Sequence, residues 1–124
     1  MSRVLDTAVL IDVLRGDQAA VEFVTGLDAV PLCSEITRIE TLRGLRSAER
    51  SAAAALLAEI DWVVVDERVA ARAGELGRTW RDSHPGIDTA DLAIAATAEL
   101  SGRTLATTNL KHFPMFEGLE RPYG

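Results

Sequence analysis

The stretch "RVLDTAVLIDVLRGD" (residues 3–17) decides the fold class. "RVLD" (3–6) reads as a short buried strand, and "TAVLIDVLRGD" (7–17) as a helix with Thr7 as its candidate cap. The same alternation continues outward. "QAAVEFVTG" (18–26) reads as a helix stopped by Gly26, and "AVPLCS" (29–34) as a second strand whose pairing Pro31 weakens. Residues 35–47 carry Ile36, Ile39, Leu42 and Leu45 at helical spacing, and "ERSAAAALLAEI" (49–60) continues as another helix. "WVVV" (62–65) reads as a buried strand, followed by a helix over 67–82 and a break at "SHPG" (83–86). "DTADLAIAATAELSG" (88–102) is an amphipathic helix with a glycine stop, "TLATT" (104–108) a further strand, and 109–124 a loop with a short edge strand. Strands alternating with helices predict an α/β fold in which helices cover both faces of a parallel sheet. Ligands in such folds bind at the carboxyl ends of the strands.

The chain has 124 residues, 48% of them hydrophobic and 26% charged, which fits one globular domain spanning 1–124 without repeats or linkers. No apolar run approaches the roughly 20 residues of a membrane helix. Asp6 and Asp12 interrupt the first apolar stretch, unlike a signal peptide. The single cysteine, Cys33, excludes an internal disulfide and a thiolate metal site, and reads as a small buried hydrophobe in a protein of the reducing cytoplasm. The net charge of −6, from 19 acidic and 13 basic residues, runs against ordinary phosphate binding. Two arginine groups soften that objection: Arg38, Arg43, Arg46 and Arg50, then Arg72, Arg78 and Arg81.

Four acids stand out. Asp6 closes the first strand at the carboxyl edge, where a helix N-cap is its ordinary alternative. Asp88 and Asp91 open a helix on one face of its first turn, where acids also complement the macrodipole. Glu40 sits among Ile36, Ile39 and Leu42, with a surface pair to Arg38 or Arg43 as the alternative. Carboxylates about 4 Å apart repel by about 1 kcal/mol in water and about 4 kcal/mol at an effective dielectric of 20. Converging acids therefore make sense if Mg²⁺ or Mn²⁺, which take oxygen ligands, offsets the repulsion and supplies an activated water.

The stretches "VLDTAVLIDVLRG" (4–16), "SEITRIETLRG" (34–44), "DTADLAIAATAELSGRTLATTN" (88–109) and "NLKHF" (109–113), in that order, resemble the PIN-domain ribonucleases, and in particular the VapC-type toxins of bacterial toxin–antitoxin pairs. The resemblance covers nearly the whole chain. It implies a three-layer α/β/α sandwich around a mostly parallel sheet of four or five strands. It also implies an Mg²⁺- or Mn²⁺-dependent endoribonuclease with Asp6, Glu40 and Asp91 as catalytic acids and Asp88 as an added one. Asp6 and Asp91 then bind the ion directly, and Glu40 and Asp88 bind it, hold its waters or act as general base. Thr7 and Thr108 match supporting hydroxyl positions. The fourth family acid is replaced by His112, which leaves Asn109 as the remaining polar candidate and puts a second fully liganded ion in doubt. The resemblance further implies an RNA substrate, a homodimer and a cognate VapB-type antitoxin, with Val9, Leu10, Val13, Leu14, Val21 and Val24 offering a groove for it. A PIN-like processing nuclease without antitoxin, and a catalytically weak PIN-like binding module, are the alternatives. Asp12 and His84 read as surface residues, and Trp62 and Trp80 as core or contact residues.

Overall fold

The computed structural model describes residues 2–124. Strands β1 (Arg3–Leu5), β2 (Leu32–Ser34), β3 (Asp61–Val63) and β4 (Thr104–Ala106) form one sheet in the order β3-β2-β1-β4, and every pair is parallel. Helices α1 (Thr7–Leu14) and α2 (Gln18–Thr25) follow β1, α3 (Glu35–Arg43) and α4 (Arg50–Ala58) follow β2, and α5 (Glu67–Trp80) and α6 (Thr89–Ser101) follow β3. Each strand spends alternate residues on opposite faces. Val4 and Leu105 pack with Val69, Leu76 and Ile94 of α5 and α6. Leu5, Cys33 and Ala106 pack with Val9 and Leu10 of α1 and Leu57 of α4. Two cores on one sheet make the three layers that the sequence pattern and the resemblance implied.

Local chemistry sets the element ends. Ser34 accepts from the Ile36 N–H to start α3, and Asp66 accepts from the Val69 N–H to start α5. Gly102 ends α6 with φ of 66°, in the left-handed region that a side chain disfavours. Pro31 lies just outside β2, where it costs no ladder bond. Its carbonyl accepts from the Asp61 N–H and joins β2 to β3.

Three sequence expectations need correction. The run 62–65 is not a buried strand. β3 is the sheet edge, and Val64 and Val65 beyond it are 61% and 41% exposed. The apolar spacing of α3 faces the core only at Ile36: Ile39 and Leu42 are 60% and 50% exposed, whereas Thr37 and Thr41 are buried. The tail adds no edge strand and instead forms a 3₁₀ turn at Leu110–His112, pinned by buried Phe113. Among the described residues, no helix is long and apolar enough to cross a membrane.

Candidate active site

The parallel register brings the site together. Val4 pairs with Leu32, and Leu5 with Ala106, so Asp6 and Thr107, one step beyond β1 and β4, share one row at the carboxyl edge with Ser34, the last residue of β2. The Asp6 N–H donates to the Ala106 carbonyl at 2.9 Å, which extends the β1–β4 pairing to that row. Asp6 holds the cap position of α1 but makes no side-chain cap bond. Its buried carboxylate instead receives the Thr107 hydroxyl, Oγ1 to Oδ2, at 2.7 Å. Thr107 Oγ1 in turn accepts from the Asn109 N–H at 2.9 Å, which ties the loop after β4 to the same acid.

Burial pushes the Asp6 carboxyl above the ordinary aspartate range. The Thr107 hydroxyl and the Thr7 N–H oppose that rise, the charge of Glu40 adds to it, and His112 opposes it. Asp91 lies buried in the first turn of α6. Burial raises its carboxyl to about 6 against the pull of the Asp88 backbone N–H, with the charges of Asp88 and Asp6 raising it further and His112 lowering it. Both acids are thus raised chiefly by burial, and the charge of Asp6 reaches Asp91 across the edge of the sheet.

Glu40 stands half-buried on α3. Thr7 Oγ1, the first helical residue after Asp6, donates to Glu40 Oε1 at 2.6 Å and lies 3.0 Å from Thr37 Oγ1. Thr37, Glu40 and Thr41 fall on one helical face, so α3 turns its hydroxyls and its acid toward α1. Asp88 is exposed and serves as the α6 cap. Its Oδ1 accepts from the Asp91 N–H at 2.9 Å, and Asp91 Oδ2 accepts from the Asp88 N–H at 3.3 Å. His112 Nδ1 lies 3.0 Å from Asp91 Oδ2 and 2.8 Å from Asn109 Nδ2.

The four acids therefore do not meet as one cluster. Among the described residues, no three Asp, Glu, His or Cys side chains are gathered tightly enough to hold an ion as they stand. Asp6 and Asp91 are the buried, mutually repelling pair, Glu40 adjoins Asp6, and Asp88 stands outside as a cap. The hydroxyl on Asp6 belongs to Thr107, not Thr108, whose carbonyl accepts from Arg121 at 2.8 Å. The sequence reading missed Thr107. Its signal is the β1–β4 register, because side chains in register on neighbouring strands share a face and the next residue points away. His84 lies in the loop before α6, edge-on to Trp80, and Asp12 accepts from the Tyr123 hydroxyl at 2.7 Å. Trp62 is half-buried under the Arg38 guanidinium.

The profile of the PIN domain family matches residues 3–115. Ribonuclease VapC19 of Mycobacterium tuberculosis is 40% identical over 98% of this chain and 99% of its own length. Ribonuclease VapC10 of the same organism is 40% identical over 96% and 91%. Among solved structures, a toxin–antitoxin complex from Klebsiella pneumoniae superposes with a TM-score of 0.81 at 27% identity, covering 98% of both chains. FitAcB from Neisseria gonorrhoeae gives 0.68 at 28% identity over 89% of each. With its parallel sheet, the acids at its carboxyl edge and a profile spanning all but the termini, this chain belongs to the PIN domain family.

Proposed function

We propose that this chain is the toxin of a toxin–antitoxin pair, an endoribonuclease that hydrolyses RNA phosphodiester bonds with the help of Mg²⁺ or Mn²⁺. The observation that carries the reading is the buried pair Asp6 and Asp91 at the ligand-binding edge of the sheet, both carboxyls raised by burial and that of Asp91 further by the charges of Asp88 and Asp6. The donor chemistry fits a hard divalent cation, since the pair offers carboxylate oxygen and an ion would relieve its repulsion. Asp6 and Asp91 would hold the ion. Bound there, the ion attracts the phosphodiester and lowers the pKa of a water.

The remaining roles belong to the chain. Thr107 fixes the Asp6 carboxylate by bonding Oδ2. Thr7 fixes Glu40 by bonding Oε1 and leaves Oε2 to take a proton from the attacking water. Asp88 acts through Asp91, whose backbone it caps, and so is a positioning residue. The Asn109 N–H keeps Thr107 in place. Thr108, whose carbonyl is the group engaged, holds the Arg121 side chain.

Two surfaces support the partners. The exposed Ile39 and Leu42 on α3, beside Glu40, suit a contact with a second copy. A cavity of about 150 Å³ lined by Val13, Val21, Val24, Pro31, Leu56 and Ile60 suits apolar side chains from an antitoxin segment. Val9 and Leu10 lie in the core beneath, and neither they nor Leu14 are part of that lining. The lone buried Cys33 accords with a cytoplasmic setting. A catalytically weak module is disfavoured, because a binding surface has no need to bury two repelling carboxylates.

Purified protein with Mg²⁺ or Mn²⁺ cleaves RNA, EDTA stops it, and Asp6→Asn matches EDTA. Cleavage by Asp6→Asn at the wild-type rate overturns the assignment. Growth arrest on expression, relieved by the product of a neighbouring small gene, separates a toxin from an RNA-processing enzyme.

A further inference from the structure

The turn from α5 into α6 carries an aromatic corner that the acids do not use. Trp80 closes α5 and His84 follows in the loop, with ring centroids 5.4 Å apart and planes crossed at 77°. Both side chains are only half-buried, and both line a cavity of about 390 Å³, a size within the range of small-ligand sites. Ser83 Oγ lies 2.8 Å from His84 Nδ1, which orients the imidazole and leaves Nε2 for another partner.

Two further observations say what the cavity suits. Ile87 and Leu92 also line it, and they flank Asp88 and Asp91, so it lies beside the first turn of α6. Its rim is basic. Arg81 lines both this cavity and an adjoining shallow groove that holds Arg78. Arg81 meets Asp82 only at 3.8 Å with both side chains exposed, and Arg78 makes no ion pair among the described residues. Glu75, the acid in that groove, pairs with Arg72 at 3.7 Å. An apolar peptide side chain would fill the corner and leave both arginines unused. A single nucleic-acid strand uses both, because unpaired bases stack on aromatic rings while arginine pairs with phosphate. A base lying flat on one of the crossed rings meets the other with its edge.

We propose that the cavity walled by Trp80 and His84 is a nucleobase subsite, which takes one unpaired base of the RNA next to the acids while Arg78 and Arg81 hold neighbouring phosphates. The proposal rests on the ribonuclease reading above and deepens it, naming residues that grip the strand away from the bond that breaks.

The test uses the purified full-length chain, a short single-stranded RNA of mixed sequence, and an abasic strand of the same length. In a Glu40→Gln background with Mg²⁺, which leaves the strand whole, the RNA moves the Trp80 indole N–H resonance and the abasic strand does not. Trp80→Ala and His84→Ala, made in the active chain, raise KM about fivefold to a hundredfold, with kcat falling far less. Trp80→Phe, which keeps a π-face, restores KM. Arg78→Ala and Arg81→Ala each lower the slope of log affinity against log salt by about 0.7. A KM unchanged in Trp80→Ala, in a wild type that cleaves RNA, overturns the subsite and leaves the ribonuclease reading standing. A Trp80 resonance moved only by the product of a neighbouring small gene assigns the cavity to a protein partner and likewise overturns it. Failure of wild type to cleave RNA overturns both.

Discussion

Removing the Thr107 hydroxyl leaves a buried oxygen of Asp6 and the Asn109 N–H without their partner. An unsatisfied buried group costs about 1–3 kcal/mol, so Thr107→Val is expected to lower stability by that amount and to slow RNA cleavage. Thr108→Val, which removes no hydroxyl contact with Asp6, is expected to stay within about 0.5 kcal/mol. Chemical denaturation with parallel cleavage assays checks both, and equal losses in the two variants would contradict the placement. The acids themselves were legible in the sequence: Asp6, Asp88 and Asp91 follow a strand end or open a helix, and Glu40 stands among the apolar residues of α3. Which threonine serves Asp6 was not, because neighbouring threonines differ only in the face that the register gives them. Asp91 carries a pH signature. Its carboxyl rises from 3.8 in the unfolded chain to about 6 in the fold, so the folded chain binds the proton more tightly. The stability that proton confers is complete below about pH 4 and lost as pH rises through about 6, a loss on the order of 2–3 kcal/mol. Melting curves in EDTA across that range should show wild type falling relative to Asp91→Asn. A rise would contradict it.

Helix α3 shows where element-level reading fails. Its apolar residues recur at a helical interval, but so do Thr37, Glu40 and Thr41, and periodicity cannot say which stripe meets α1. The site decides: Glu40 must reach Thr7, so the polar stripe turns inward and Ile39 and Leu42 go out. β3 was misread for a related reason, since a valine run at a sheet edge reads like one at its centre. Replacing Ile39 and Leu42 by Lys removes little buried area from a monomer, so stability within a chain should change by about 0.5 kcal/mol or less per site. The same changes should convert a homodimer to monomer in sedimentation velocity; a species unchanged in mass would place the copy contact elsewhere. Helix α5 allows a sharper contrast. A Cβ at Gly74 meets nothing within 4 Å, whereas one at Gly77 comes within 2.9 Å of Leu92 Cδ1 on α6. Gly74→Ala should stabilise by about 0.5–1 kcal/mol through helix propensity alone. Gly77→Ala should gain less, because Leu92 must yield, and an equal gain at both sites in thermal unfolding would show that the helices do not approach closely.

Across the whole molecule, the strand–helix alternation was enough to imply the layers, while the gathering of the site depends on pairings between residues about a hundred positions apart, such as Asp6 with Thr107. Net charge enters at the same scale. A chain of −6 gains little from counterion release on RNA, so its hold on the phosphodiester must come from where the charge is cancelled. An ion bound to the folded chain and not to the unfolded one stabilises by about 2.7 kcal/mol at a hundred times its dissociation constant. For a chain of this size, each kcal/mol moves Tm by roughly 3–6 °C. Saturating Mg²⁺ or Mn²⁺ should therefore raise the wild-type Tm at neutral pH by roughly 10 °C. Asp6→Asn and Asp91→Asn should start from a higher Tm in EDTA, since each removes one of two repelling charges, and should gain almost nothing from the ion. If wild type and both variants respond alike, the cation binds elsewhere on the acidic surface, and the repulsion between Asp6 and Asp91 has no counterion to explain it.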